Sequence, residues 1–361
     1  MSELLVEVCE IDEIKEHPNA DRLEFAVIKG WNCIVQKDEW KAGDRCVFIP
    51  PDSVMPDDLI DKYNLEYLRN GGKRVRTVKL RGYVSQGLVL PVPEGNYKLG
   101  DNVAEDMGIT KWQPDKEIYQ MPKSKKPNKR KLNPDFHKYT NINNFKHYND
   151  VFKKGDTVVI TEKIHGSNWR AGYLPIYTNH DNFFKRTWSK IRSWYNNGYE
   201  FVYGSHNVQI THNNKNEGYY GEDIYGEVAK KYNMKDIIPE DYVVYGEVYG
   251  NGVQDLQYGL NNRDLVIFDV KYKDRFLPYE DLKEFCQKRD LPIVPELYVG
   301  LWKPDLIDKY ISGMSKLCSD QIKEGIVIKD YFESNHPRCG RKILKYKSED
   351  YLLRKNGTEY H

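Results

Sequence analysis

The first 110 residues alternate short apolar runs with turn residues. The runs are Leu4–Ile11, Glu24–Val35, Asp44–Pro50 and Gly87–Val92, rich in Val, Ile and aromatics. The turns between them carry His17-Pro-Asn-Ala-Asp-Arg22, Lys41-Ala-Gly-Asp-Arg45 and Arg69-Asn-Gly-Gly-Lys-Arg74. Several short strands punctuated in this way predict a small β-barrel. One helical stretch is predicted from Asp57 to Leu68. After residue 150 the apolar runs are again β-like: Val158–Thr161, Val243–Gly250, Leu265–Val270, Glu324–Lys329 and Lys342–Lys347. The chain therefore predicts an α+β protein of two domains, as its 361 residues suggest.

The formal net charge is only +1, and 39% of residues are hydrophobic. Taken whole, the charge argues against a polybasic nucleic-acid binder. Its distribution changes that picture. By side-chain count, residues 1–110 sum to about −6, residues 111–150 to about +6 and residues 151–361 to about +1. Lys123–Lys131 holds six cations and no acid, and Pro114, Pro122, Pro127 and Pro134 exclude a regular helix or central strand around it. Residues 111–140 are expected to be a basic connector between domains 1–110 and 141–361, a solvated linker or one that also touches phosphates. A second basic strip comprises Lys73, Arg74, Arg76, Lys79 and Arg81, with no acid between them. The spacing of Arg74 and Arg76 puts both on one face if they lie on a strand, which suits a nucleic-acid backbone or a solvated hairpin.

No two of the six cysteines form a C-x-x-C pair, so neither a zinc site nor a disulfide framework is expected. The first 17 residues lack a signal-peptide core, and no run reaches membrane-span length. A cytoplasmic protein is expected from these features, and a monomer.

The chemistry concentrates at Val158-Val-Ile-Thr-Glu-Lys-Ile-His-Gly-Ser-Asn168. Lys163 closes an apolar strand, where desolvation or nearby cations can make an amine nucleophilic. Gly166 lets the backbone approach a phosphate. Another strand ends near Glu247, Phe268 and Asp269 sit together on a third, and Glu324 opens a fourth. Lys345 and Lys347 share a strand face by period-2 alternation, which calls for an anionic partner or water.

In this order, the five segments resemble motifs I, III, IIIa, IV and V of the covalent nucleotidyltransferase superfamily, which contains ATP-dependent DNA and RNA ligases and mRNA capping enzymes. The form Glu162-Lys-Ile-His-Gly-Ser-Asn168 is similar to the version in RNA ligases of the phage T4 RNA ligase 2 type, whereas His165 and Asn168 depart from the K-x-D-G-x-R of DNA ligases and capping enzymes. Only 14 residues follow Lys347, so the OB domain and motif VI that follow motif V in those enzymes are not expected. The segments His17–Leu23 and Lys79–Gly87 resemble parts of OB-fold tRNA-binding modules. An OB domain ahead of the catalytic domain resembles the RNA ligases typified by the Deinococcus and Naegleria enzymes.

The resemblance implies an N-terminal OB-fold barrel and a nucleotidyltransferase (ATP-grasp-like) domain of antiparallel sheets. It implies ATP and Mg²⁺ (or Mn²⁺) as cofactors, and RNA with 3′-OH and 5′-phosphate ends, as in a nicked duplex. Lys163 is the implied nucleophile, with Lys345 and Lys347 on the α-phosphate. Glu247 and Glu324 are implied for ribose or metal contact, Phe268 for adenine stacking and Glu162 for the adenine edge. His165 and Asn168 are implied in end joining, and Arg170 at a phosphate or the RNA end. Phe268 fits core packing equally, Asp269 a strand-end turn, and Arg170 an exposed strand position. The motif Ia region, around His206 and His212, lacks its usual Arg. Residues 179–200 suit either an RNA surface or a helix packed on its aromatics. The rival readings are a guanylyltransferase or DNA ligase of the same superfamily, or a non-catalytic RNA-binding protein.

Overall fold

A computed structural model describes residues 4–113, 133–177, 197–210 and 222–354, with positions 187, 190, 191 and 194 between them. The basic run Lys123–Lys131, His212 and most of 179–200 lie outside the described residues. The chain divides into two compact units. One comprises Met1–Tyr119, Ile142–Asp150 and Glu349–His361; the other comprises Gln120–Asn141 and Val151–Ser348. The division is thus not a single cut: short segments from after residue 140 belong to the N-terminal unit.

The N-terminal unit is built from β1 (Glu7–Glu10), β2 (Glu13–Glu16), β3 (Leu23–Ile28), β4 (Trp31–Gln36), β5 (Arg45–Ile49), β6 (Ser53–Val54), β7 (Thr77–Leu80), β8 (Tyr83–Gln86), β9 (Leu88–Pro91), β10 (Thr110–Lys111) and β11 (Asn143–Asn144). Its antiparallel sheets run β1-β5-β9 and β2-β3-β4, with pairs β7-β8 and β10-β6. They remain separate ladders rather than one closed barrel, joined in places by side chains: Ile34 N–H donates to Ser85 Oγ, and Cys33 Sγ donates to the Gln86 carbonyl. The central strand β5 is apolar on both faces, so alternation divides its side chains between two cores. Val47 and Ile49 join Val6, Val8 and Leu90 on one side; Cys46 and Phe48 join Ala26, Ile28 and Trp31 on the other. The expected helix stops early. It spans Asp57–Lys62, and Asn64, at φ 54°, turns the chain before a 3₁₀ segment at Glu66–Gly71.

The second unit begins with β12 (Thr157–Lys163) and β13 (Ser167–Pro175), followed by β14 (Tyr199–Ser205), β15 (Gln209–Ile210), β16 (Tyr242–Gly250), β17 (Arg263–Tyr272) and β18 (Arg275–Phe276). The strands β19 (Glu296–Leu301), β20 (Gly325–Asp330), β21 (Asn335–His336), β22 (Gly340–Arg341) and β23 (Ile343–Lys347) complete it. One sheet has the order β15-β14-β13-β16-β17-β18; in another, β23, β20, β12 and β19 lie side by side. The described pairings within both are antiparallel. The core between them takes Val159 from β12, Trp169 and Ala171 from β13, and Val244 and Val248 from β16. Two helices cover it. Ile224–Lys231 is capped by Asp223, whose carboxylate accepts from Gly226 N–H. Tyr279–Gln287 buries Tyr279, Leu282, Phe285 and Cys286, a helical stripe facing the core. No helix among the described residues is long and apolar enough to cross a membrane.

Candidate active site

Strand register assembles the site. Lys163 on β12 pairs with Gly325 on β20, and Lys347 on β23 pairs with the same glycine. Directly paired residues project to the same face, so the two lysines flank Gly325. Lys345 lies two residues back, opposite Val327, and shares that face. On the other sheet Asn168 pairs with Glu247. The turn Ile164-His165-Gly166 carries the chain from β12 to β13. Gly166 is required there because a Cβ would collide with the Val248 carbonyl and the Glu247 side chain. This gives the glycine a second reason for its place, besides the approach to phosphate that the sequence suggested.

Glu324 is the centre of charge. It is 2% exposed, and its Oε2 accepts from Lys163 Nζ at 2.6 Å. His165 Nδ1 lies 3.9 Å from the same oxygen, and Lys347 Nζ lies 3.9 Å from Oε1. Burial alone would raise the Glu324 pKa; Lys163, Lys347 and His165 outweigh it and hold the carboxyl below its ordinary range. Glu247 behaves oppositely. Part of its surface reaches solvent, yet its carboxyl is closely surrounded by protein. Desolvation pushes its pKa up to about 8 and Glu324 adds to the rise, against the pull of Lys163 and of a hydrogen bond from Gly166 N–H. Two neighbouring carboxyls are thus driven apart in proton affinity by their surroundings.

The turn is clasped by the loop between β16 and β17. Asp255 Oδ1 lies 2.7 Å from His165 Nε2, His165 N–H donates to Tyr258 Oη at 2.7 Å, and Gln254 Nε2 donates to the Gly166 carbonyl. Tyr258 is itself held by Gln321, whose Oε1 accepts from its N–H at 2.9 Å. Burial lowers the His165 pKa, against Glu324 and Asp255. Sequence reasoning missed Asp255 and Tyr258. Their only signal was an acid and an aromatic in the polar connection Asn251–Asn262 between two motif strands.

Other expected site residues have more specific places. Glu162 is 1% exposed, and both its oxygens are engaged: Oε1 accepts from Ser315 Oγ at 2.5 Å, and Oε2 accepts from Lys316 N–H at 2.7 Å. Burial raises its pKa against these bonds. Phe268 is half-buried and meets Tyr139 edge-on at 4.7 Å. Asn168 has a buried Oδ1 with no hydrogen-bond partner among the described residues.

Arg170 corrects the expectation of a phosphate or RNA-end contact. It is 1% exposed, donates to the carbonyls of Ser205 and Phe136, and stacks on the Phe136 ring. Its place in the middle of β13, between two paired strands, turns it into a tie for neighbouring backbone. Desolvation lowers its pKa to about 10. Asp269 likewise is not a strand-end turn acid. It is fully buried, bound by Arg341 Nη2 at 2.5 Å, Lys329 Nζ at 3.3 Å and Tyr139 Oη at 2.8 Å. Burial would raise its pKa, and Arg341 and Lys329 hold it down. His206 is partly buried, and desolvation lowers its pKa to about 4.

The strip of the N-terminal unit is also divided. Arg74 is not on a strand beside Arg76: it is buried, donates to Asp52 Oδ1 and stacks on Trp112 at 3.5 Å. Lys73 pairs with Asp57. Arg76, Lys79 and Arg81 are exposed beside or on the β7-β8 hairpin. The two segments that resemble tRNA-binding modules meet there. Asn19 Nδ2 donates to the Arg81 carbonyl at 3.1 Å, and the His17 and Tyr83 rings meet edge-on at 5.2 Å.

An RNA ligase family model matches residues 156–347, which contain every part of the lysine–carboxylate site. The chain belongs to the RNA ligase family. An OB-fold domain model matches residues 5–92 of the ligase. No curated protein matches it. Among solved structures, it is similar to Naegleria gruberi RNA ligase. A lysine-to-alanine mutant of that enzyme with ATP and manganese is 24% identical, covers 96% of this chain and 98% of its own, and superposes with a TM-score of 0.71. The same enzyme with pyrophosphate is 23% identical over 97% and 98%, with a TM-score of 0.71. At such identity the likeness establishes a shared fold along nearly the whole ligase.

Proposed function

We propose that this ligase joins a 3′-OH RNA end to a 5′-phosphate end at the expense of ATP, with Lys163 as the adenylylated residue. The observation that carries the reading is the grouping of Lys163, Lys347 and buried Glu324 around Gly325 in an RNA ligase domain. ATP and manganese, AMP and manganese, and pyrophosphate are the ligands of the Naegleria structures with the same fold.

Three displacements at phosphorus account for the reaction. Lys163 Nζ gives up a proton and attacks the α-phosphorus of ATP; the N–P bond forms and the bond to pyrophosphate breaks. An oxygen of the RNA 5′-phosphate then attacks that phosphorus, releasing Lys163 and leaving a 5′-5′ pyrophosphate linkage. Finally the 3′-OH loses its proton, attacks the 5′-phosphorus and expels AMP. Positioning and charge neutralisation supply most of such catalysis. Lys345 and Lys347 offer cations on the face of Lys163, and Phe268 offers a ring to the base.

Glu247 and Glu324 are the carboxylates that suit a divalent cation. No group of three or more metal-binding side chains gathers among the described residues. Two carboxylates fit Mg²⁺, which keeps waters and phosphate oxygens as its other ligands. Bound there, the ion would neutralise charge on the phosphates.

Residues 1–110 are assigned to RNA binding through Arg76, Lys79 and Arg81, residues 111–140 to a basic connector and residues 141–361 to adenylyl transfer. A monomer acting on nicked duplexes in the cytoplasm is part of the same proposal. The test is incubation with Mg²⁺ and α-labelled ATP or GTP. Acid-stable label from ATP, absent in Lys163→Ala, supports the reading; label from GTP alone indicates capping, and no label from either sinks it. Nicked duplexes with RNA or DNA at the 3′-OH side then give the strand preference.

A further inference from the structure

We propose that Asp255 is a positioning residue that fixes the His165 ring beside the nucleophilic lysine; this rests on the ligase reading above. His165 is two residues beyond Lys163, and both side chains address Glu324 Oε2, at 3.9 Å and 2.6 Å. The His165 side chain is 4% exposed and so lacks water to orient it, whereas Asp255 keeps 22% of its side-chain exposure. The backbone of the turn is already secured by Tyr258 on His165 N–H and by Gln254 on the Gly166 carbonyl. Neither bond sets the rotation of the imidazole about its Cβ–Cγ bond. Asp255 does, through its 2.7 Å approach to Nε2, which leaves Nδ1 facing Glu324.

Without the Asp255 carboxylate, Glu324 becomes the nearest anion to the ring. The imidazole is then drawn toward the oxygen that Lys163 uses, and it leaves the position where the 5′-phosphate meets the adenylylated lysine. A displacement of about 1 Å in a reacting site costs up to roughly 100-fold in rate. The connection Asn251–Asn262 thus has a task beyond joining β16 to β17. It supplies the backbone anchors and the ring anchor of the β12–β13 turn from one stretch of chain.

The test separates the steps in single-turnover experiments: lysyl-AMP formation, AMP transfer to a nicked RNA duplex, and closure of a pre-adenylylated nick. Wild type is compared with Asp255→Ala, Asp255→Asn, His165→Ala and the Asp255→Ala/His165→Ala double variant. Asp255→Ala is expected to slow AMP transfer at least tenfold at saturating duplex, and lysyl-AMP formation much less. Asp255→Asn, which keeps an acceptor oxygen at the same reach, is expected to recover most of the rate. The double variant is expected to be no slower than His165→Ala, because residues acting as a unit are non-additive. Losses that multiply in the double variant, equal slowing of all three steps, or wild-type rates in Asp255→Ala would each overturn the assignment. If Asp255→Ala fails to fold, Asp255→Ser, too short to reach the ring, replaces it in the same cycle. These results overturn the positioning role alone when wild type is labelled and seals; an unlabelled wild type overturns the ligase reading with it.

Discussion

Lys163 and Lys347 stand on either side of one residue, Gly325, each paired with it across a β-ladder. The glycine lets β23 come close: a Cβ there would overlap the Tyr346 carbonyl and crowd the Lys347 Cα. Two cations are thereby brought to one face with no side chain between them, and Glu324, the preceding residue, supplies the anion both can reach.

Gly325→Ala is therefore expected to push β23 away and carry Lys347 with it. Overpacking of this kind costs about 1–3 kcal/mol. Urea unfolding measures that loss, and labelled ATP should show weaker lysyl-AMP formation even where the variant is fully folded.

Glu324→Gln keeps the shape of the carboxyl and an acceptor for Lys163, but removes its charge. Adenylylation is expected to fall by roughly 100-fold, because a neutral amide attracts a divalent ion far less. Loss of the anion that Lys163 and Lys347 share is also expected to lower the thermal unfolding temperature, so labelling is compared where both proteins are folded. A variant with undiminished labelling would show that the negative charge is not needed for the first step.

The divided basic strip makes two different predictions for neighbouring arginines. Arg74→Ala removes the partner of Asp52 and the stacking on Trp112, and is expected to destabilise the protein by about 2 kcal/mol. Replacing Arg76, Lys79 and Arg81 by Ala should leave stability nearly unchanged and weaken duplex binding. The log–log salt slope should shrink by roughly 0.9 for each phosphate that is no longer neutralised. Binding titrations from low to moderate salt distinguish the two effects; an unchanged slope in the triple variant removes these residues from the RNA interface.

Lys146 yields a pH prediction for the N-terminal unit. It is 4% exposed, donates to Gln86 Oε1 at 2.6 Å and lies over the Trp31 ring at 4.6 Å. Desolvation lowers its pKa to about 8, against the pull of Glu349. In the unfolded chain a lysine holds its proton to about 10.4. Between those values the unfolded chain binds more protons, so stability rises with pH. Wild type is expected to gain roughly 2 kcal/mol relative to Lys146→Met from pH 7 to pH 10. Denaturant unfolding at several pH values checks this, and a constant difference between the two proteins contradicts it.

Much of the site was legible because its chemistry is local. Lys163, His165, Gly166 and Asn168 belong to one strand–turn–strand, and period-2 alternation placed Lys345 and Lys347 on one face. Glu324 was found as the acid that opens an apolar strand, and Glu247 as an acid near the end of another. Asp255 and Tyr258 were not legible, because their partners lie 90 and 93 residues away and a polar loop gives no periodic signal. Arg170 and Arg74 were misread for the converse reason. A charged residue in a sequence looks solvent-facing or ligand-facing, and only packing shows that carbonyls or a carboxylate have enclosed it.

The sequence by itself determined the strands, the order of the motif segments and the turn residues, because alternation, glycine and β-branching act over a few neighbouring positions. The tertiary structure decided which charges meet. Glu324 and Glu247 are the same residue type, one just ahead of β20 and the other within β16. One is held ionised chiefly by Lys163 and Lys347 and the other is raised toward neutrality by desolvation, since each depends on side chains that strand register brings from remote parts of the chain.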